Sequence, residues 1–284
     1  MNVQKLSNMK VKSQKITAIT AYDYSFAKIA NDAEIDVILV GDSGAMVMFG
    51  YETTSPATMD EMLLMSKAVS RGASNSLLVG DMPFMSYHAS IDDAIRNAGR
   101  FIKEGGMQAV KIEGGRHVAK TIRAITKAGI PVMGHIGLQP QMAQSWDGYK
   151  VHGADYSSAK QLIEDAHELE QAGAFCIVLE MITEEVSKII SESLSIPTIG
   201  IGSGRYCDGQ IIVLHDLLNL NDSLNPKFVK QYADLKTQTH KALSDYKDDI
   251  NSNNFPNSNH SWSMESSELK KLQKYLGLIK KNKL

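Results

Sequence analysis

Eight short runs of β-branched and aliphatic residues recur along the chain, each parted from the next by a longer segment, most of these with helical periodicity. The runs lie in ITAITA (16–21), VILVGD, LLVGD, VKIEG, VMGHIG, CIVLEM, TIGIG and IIVLHD near 211–216. Helical patterns such as MDEMLLMSKAVSRG, IDDAIRNAGRFIKEG, VAKTIRAITKAG and AKQLIEDAHELEQAG fill most of the intervals, several closing on a glycine suited to a left-handed C-cap. A strand that is apolar almost without interruption must be covered on both faces, as parallel strands sheathed by helices are. Eight such units predict an α/β fold, a (β/α)8 TIM barrel, with a doubly wound open sheet as the second choice. At 284 residues the chain could be one barrel or two smaller domains, so the pattern and not the length selects the barrel.

Past residue 216 the alternation fades. PKFVKQYADLKTQTHKALSDYKDDI reads as one long final helix and NSNNFPNSNHSWSM as an Asn/Ser-rich connector. The last segment, ESSELKKLQKYLGLIKKNKL, has six lysines and two glutamates, with Leu269, Leu272, Leu276 and Ile279 near one helical face. The expected organisation is a catalytic barrel over 1–262 and a basic, amphipathic C-terminal helical extension over 263–284. A terminal or subunit-docking helix explains that extension more simply than a membrane or nucleic-acid role.

Charge and cysteine content narrow the function classes. Thirty Lys plus Arg against 32 Asp plus Glu leave a net charge of -2, so there is no global basic field to hold nucleic acid or an anionic membrane. Cys176 and Cys207 are too few and too isolated for a disulfide framework or a zinc cluster, which fits a reducing compartment and favours the cytoplasm. The opening MNVQKLSNMKVKSQ leads into no apolar run of signal-peptide length, and nothing approaches the roughly 18 apolar residues of a membrane span.

In an α/β barrel the chemistry gathers at the carboxyl ends of the strands. Asp42, Asp81, Glu113 and Glu180 each end an apolar run, at separations of 39, 32 and 67 residues that match one, one and two βα units. Any one of them could instead cap the following helix, but four in phase point to one shared rim. Several ionised carboxylates in one cavity are costly without a cation, and a hard, all-oxygen donor set is the habit of Mg2+. Lys111 and Glu113 lie two apart on one strand and face the same side, so the ammonium can neutralise either a protein carboxylate or an anionic substrate. His135 in VMGHIG is a supporting group. Glu180, between CIVL and Met181-Ile182, has apolar neighbours in sequence that suit a general base, or it partners Lys111 or His135. GIGSG at 200–204 either turns the chain or, less simply, cradles a phosphate.

Taken in order, TAYDYSFAKIAN, VGDS, DMPFMSY, VKIEGG, GHIGLQPQ, GYKVHG, LEM, IPTIGIGSG, CDGQ, HD and PKF resemble the ketopantoate hydroxymethyltransferase family over residues 15–262. The resemblance implies a Mg2+-binding barrel that makes ketopantoate, a pantothenate precursor, from 3-methyl-2-oxobutanoate and 5,10-methylenetetrahydrofolate. It places Asp42, Asp81 and Glu113 at the metal positions, with Asp42, Asp81, Ser43 and Lys111 contacting substrate and Glu180 as proton acceptor. It also implies a homo-oligomer, a decamer of two pentameric rings. The chain departs from the family pattern in GDSGAM, where GDSLGM is more familiar, and in GYETT, where a GHDST-like segment is common. The smaller Gly44 is expected to loosen the loop after Asp42. Two competing functions are a Mg2+-dependent 2-oxo-acid lyase or aldolase of the isocitrate lyase and phosphoenolpyruvate mutase kind, and a non-catalytic barrel subunit. The lack of a reactive cysteine motif counts against the first, and the retained acids count against the second.

Overall fold

The computed structural model describes residues 1–145, 150–221 and 226–281. Eight parallel strands close into a barrel in sequence order: β1 (Ile16–Thr20), β2 (Val37–Val40), β3 (Leu77–Asp81), β4 (Ala109–Glu113), β5 (Val132–Gly137), β6 (Cys176–Glu180), β7 (Thr198–Ile201) and β8 (Gly209–Ile212). Closure is made by β1 against β8, with Ile16 opposite Gly209 and Ile19 opposite Ile212. The helices in chain order are α1 (Val3–Val11), α2 (Tyr24–Asp32), α3 (Gly44–Val47), α4 (Met59–Gly72), α5 (Ile91–Lys103) and α6 (Ala119–Lys127). They continue with α7 (Tyr156–Gln171), α8 (Glu184–Ser193), α9 (Leu214–Leu217), α10 (Leu235–Asn251) and α11 (Ser266–Lys281). The open-sheet alternative is thereby excluded.

Strand parity divides the core in two. Ile16, Ala18, Val37, Leu39, Leu77, Val79, Ala109, Met133, Cys176, Val178, Ile199 and Ile211 fill the barrel interior together with Leu6 of α1. Their neighbours, including Ile38, Val40, Leu78, Val110, Ile112, Ile177 and Leu179, pack outward with the helices. Side chains alternate along a strand, so Asp81, Lys111, Glu113, His135 and Glu180 continue the inward rows upward from Val79, Ala109, Met133 and Val178. The apolar layers beneath them keep water out from below.

Helix starts are capped by residues other than these acids. Asp23, Ser90 and Asp155 accept backbone N–H bonds from Phe26, Asp93 and Ser158, and Thr58 forms a reciprocal capping box with Glu61. The helix-cap reading of Asp42, Asp81, Glu113 and Glu180 therefore finds no support.

Two stretches differ from the sequence expectation. β8 stops at Ile212, and Leu214–Leu217 of IIVLHD coil into α9, whose first N–H, on Leu214, donates to Thr20 Oγ1 at 3.0 Å. The long helix read from Pro226 is α10, which begins at Leu235, where Asp234 supplies an N-cap that accepts from Thr237 N–H at 3.2 Å; α11 follows it. The chain forms two compact units, Met1–Ala233 and Asp234–Leu284. In the second unit α10 has no buried residue, and Leu269, Leu272 and Leu276 of α11 are exposed; the Ile279 side chain lies outside those described. No helix among the described residues is long and apolar enough to cross a membrane.

Candidate active site

At the carboxyl end of the barrel, β2, β3 and β4 bring Asp42, Asp81 and Glu113 together. One carboxylate oxygen from each lies within 4.8 Å of the others, and all three side chains are buried. Asp42 sits just past β2, where its N–H donates to Asp81 Oδ2 at 3.2 Å. Lys111 rises from the strand that carries Glu113. Its Nζ donates to Asp81 Oδ1 and Oδ2 at 2.7 and 2.9 Å and to Glu113 Oε1 at 3.2 Å. Of the two roles left open for Lys111, neutralisation of protein carboxylates is thus visible directly.

Gln141 was given no role in the sequence. It lies in the turn Pro140–Ser145 that follows β5 and is fully buried. Its Nε2 donates to Asp42 Oδ2 at 2.9 Å and to Met82 O at 3.0 Å, and its N–H donates to Glu113 Oε2 at 3.2 Å. Tyr87 completes the frame, its hydroxyl donating to Gln141 Oε1 at 2.8 Å and lying 3.2 Å from Glu113 O. Such convergence leaves no sequence signal beyond a glutamine within GHIGLQPQ.

His135 stands between the triad and Glu180. Nδ1 is 3.3 Å from Glu113 Oε1 and Nε2 is 3.1 Å from Glu180 Oε2, close enough for ion pairing but too oblique for hydrogen bonds. Glu180 is therefore beside a histidine rather than in a purely apolar setting, and its side chain remains 15% exposed where those of Glu113 and His135 are at 2%. Ser43 is half-buried with its Oγ 2.8 Å from the Tyr22 hydroxyl.

Electrostatics separate the acids. Burial pushes the Asp42 carboxyl well up, and the nearby Asp81 and Glu113 add to the effect. Asp81 is also raised by burial, although Lys111 opposes it. For Glu113 burial acts upward too, but Lys111 and His135 outweigh it and hold the group down at about 2. Burial disfavours the His135 imidazolium, yet Glu113 prevails and raises it to about 9. The Lys111 ammonium is stabilised in the same way by Asp81 and Glu113. Lys111 and His135 together offset Glu113, whereas Asp42 stays raised, by burial first and by its two acidic neighbours second. A hard divalent cation fits this donor set of carboxylate oxygens, and Asp42, Asp81 and Glu113 are the residues that could hold it.

GIGSG serves the turn. Ser203 is buried, donates to Leu179 O at 2.7 Å and accepts from Ile182 N–H at 3.1 Å, while Gly202 and Gly204 take φ of 64° and 77°. β8 and not a helix follows, so the loop lacks the helix start that a phosphate cradle uses. Of GYKVHG, Gly148 and Tyr149 lie outside the described residues.

The sequence profile of the ketopantoate hydroxymethyltransferase family matches residues 1–258. A 3-methyl-2-oxobutanoate hydroxymethyltransferase of Nitrosopumilus maritimus (strain SCM1) is 55% identical over 276 residues, 97% of this chain and 99% of that one. The chain belongs to the ketopantoate hydroxymethyltransferase family. It is thereby an enzyme, a hydroxymethyltransferase, and a non-catalytic barrel subunit is set aside. A second 3-methyl-2-oxobutanoate hydroxymethyltransferase, from Clostridium botulinum (strain Langeland / NCTC 10281 / Type F), is 54% identical over 95% of this chain and 98% of its own. Among solved structures, a phosphonopyruvate hydrolase complex with oxalate and Mg2+ superposes with a TM-score of 0.59 at 13% identity, covering 98% of this chain and 97% of that one. At that identity the likeness shows the fold alone. Ketopantoate hydroxymethyltransferases thus share a barrel with the phosphonopyruvate hydrolase and dimethylmalate lyase neighbours, the latter at a TM-score of 0.57.

Proposed function

We propose that the enzyme transfers a hydroxymethyl group from 5,10-methylenetetrahydrofolate to 3-methyl-2-oxobutanoate, forming ketopantoate, with Mg2+ held by Asp42, Asp81 and Glu113. The observation that carries this reading is a division of labour at the rim: three carboxylates converge in a buried cluster, and Glu180 stands outside it, reached through His135. A divalent metal bound at the cluster supplies Lewis-acid stabilisation of negative charge on the oxygens of a 2-oxo acid.

Asp42, Asp81, Ser43 and Lys111 form the substrate-binding group, Lys111 offsetting the negative charge of the oxo acid. Glu180 accepts the C3 proton, and its partial exposure leaves room for substrate to reach it. C3 then forms a bond to the methylene carbon of the folate as one of that carbon's two carbon–nitrogen bonds breaks. The second breaks as water supplies the hydroxyl oxygen, and tetrahydrofolate leaves with its two nitrogens carrying the proton taken from C3 and one from water. His135 faces the base from the side opposite Glu113, so it orients the Glu180 carboxylate. Buried Cys176 and Cys207 fit a reducing, cytoplasmic setting. Exposed Tyr246, Leu269 and Leu272 fit a homo-oligomer, a decamer on family resemblance, which light scattering tests.

Exchange of the C3 proton of 3-methyl-2-oxobutanoate for deuterium isolates the base. Glu180→Gln abolishes the exchange and leaves oxo-acid binding close to wild type. Exchange at the normal rate in that variant would remove Glu180 from the role.

A further inference from the structure

We infer that Tyr22 is a positioning residue for the oxo-acid site, its hydroxyl donating to Ser43 Oγ so that the single Ser43 proton is left for the bound anion. This rests on the reading of Ser43 as a substrate contact. Tyr22 follows β1 and Ser43 follows β2, and the hydroxyls meet at 2.8 Å. That distance alone leaves the donor open, and the surroundings decide it. A serine that spent its proton on Tyr22 would turn only lone pairs toward a carboxylate or keto oxygen, and two acceptors repel. Burial raises the Tyr22 phenol, and Asp216 and Asp42 add to it, so the phenol keeps its proton and can donate. The phenol also interacts with the Thr20 hydroxyl, itself held by Leu214 N–H at 3.0 Å.

Packing holds the ring in place. Tyr22 is 2% exposed, and its ring centroid is 5.5 Å from that of His215 on α9, which also faces Phe26 at 6.3 Å. The departure at Gly44 belongs to the same arrangement. A Cβ there would lie 2.8 Å from Tyr22 Cδ1 and 2.7 Å from Met65 Sδ, so the missing side chain lets Tyr22 close on the loop. Gly44 is buried, and this loop is packed against Tyr22 and Met65 where loosening was expected. At Gly41 a Cβ would come within 2.8 Å of Ser43 Oγ, so the serine hydroxyl folds back over that glycine.

The test is a double-mutant cycle read by calorimetric titration of 3-methyl-2-oxobutanoate into the full-length protein with Mg2+ supplied. Tyr22→Phe and Ser43→Ala each weaken binding about tenfold, the scale of one hydrogen bond to a charged group, and the double variant binds no more weakly than Ser43→Ala. Tyr22→Phe keeps the ring and its carbon contacts. Gly44→Ala, which leaves the phenol but crowds its ring, gives an independent weakening that also disappears in the Ser43→Ala background. Wild-type affinity in Tyr22→Phe, or equal weakening by it with and without Ser43, overturns the positioning role while Ser43 keeps its own. Wild-type affinity in Ser43→Ala overturns both the substrate contact and the inference.

Discussion

The two sides of the site are built differently. On the β2–β4 side, Asp42, Asp81, Lys111 and Glu113 are buried and tied together by short hydrogen bonds from Lys111 and Gln141. On the β6 side, Glu180 has partial exposure and lies beside His135. A charge-binding region gains from rigidity, because fixed groups aimed at a bound anion or cation need no reorganisation. The proposed base must instead meet a proton on a substrate that comes and goes, and Glu180 sits where the enclosure is incomplete. His135 is the hinge between the two, touching one acid of each.

Substitutions at the two sides break this contrast in different ways. The largest effect is expected at Glu180, where Gln lowers turnover by about 10²–10⁴-fold with little change in affinity. Asp81→Asn at the other side loses metal affinity, and with it both substrate binding and turnover. Titrating metal and oxo acid into both variants checks the difference; equal loss of affinity would erase the distinction. Next is Lys111→Ala, which strands Asp81 and Glu113 without their ammonium. The cost to the metal-free protein is about 3–5 kcal/mol in denaturant unfolding, and added Mg2+ restores part of it.

Gln141→Ala removes bonds to Asp42, Met82 and Tyr87 and costs about 1–3 kcal/mol in the same measurement. The smallest effect is a pH dependence. His135 is raised in the fold to about 9, above its unfolded value near ~6.5, so the stability it contributes is complete below ~pH 6.5. That stability is lost as pH rises through about 9. In metal-free protein, His135→Asn removes this part of the slope, and an unchanged slope would show that the Glu113 contact does not hold the imidazolium.

The sequence made the β2–β4 side legible because β3 and β4 end in Asp81 and Glu113 and Asp42 lies just past β2, and strand parity turns Lys111 inward together with Glu113. The barrel was legible because both faces of the strands are apolar below the rim, so most strands read as nearly continuous apolar runs. Gln141 and Tyr87 were hidden because their roles depend on loops that converge across the rim, 54 residues apart in the chain. For Glu180 the sequence offered apolar neighbours, or Lys111 or His135 as partner, and only the pairing of β5 with β6 shows that the neighbour is His135. The short helix after β8 reads as strand in the sequence because Leu214 is apolar, and its first N–H finds its partner in Thr20, nearly the whole barrel away in sequence.

The central claim is metal-dependent hydroxymethyl transfer at the Asp42–Asp81–Glu113 cluster, and one assay addresses it directly. The purified enzyme is given 3-methyl-2-oxobutanoate and 5,10-methylenetetrahydrofolate, with Mg2+ present or removed by chelation. Ketopantoate forms with the metal and stops on chelation, returning when Mg2+ is restored. No ketopantoate with metal and both substrates present, or undiminished formation after chelation, would contradict the account.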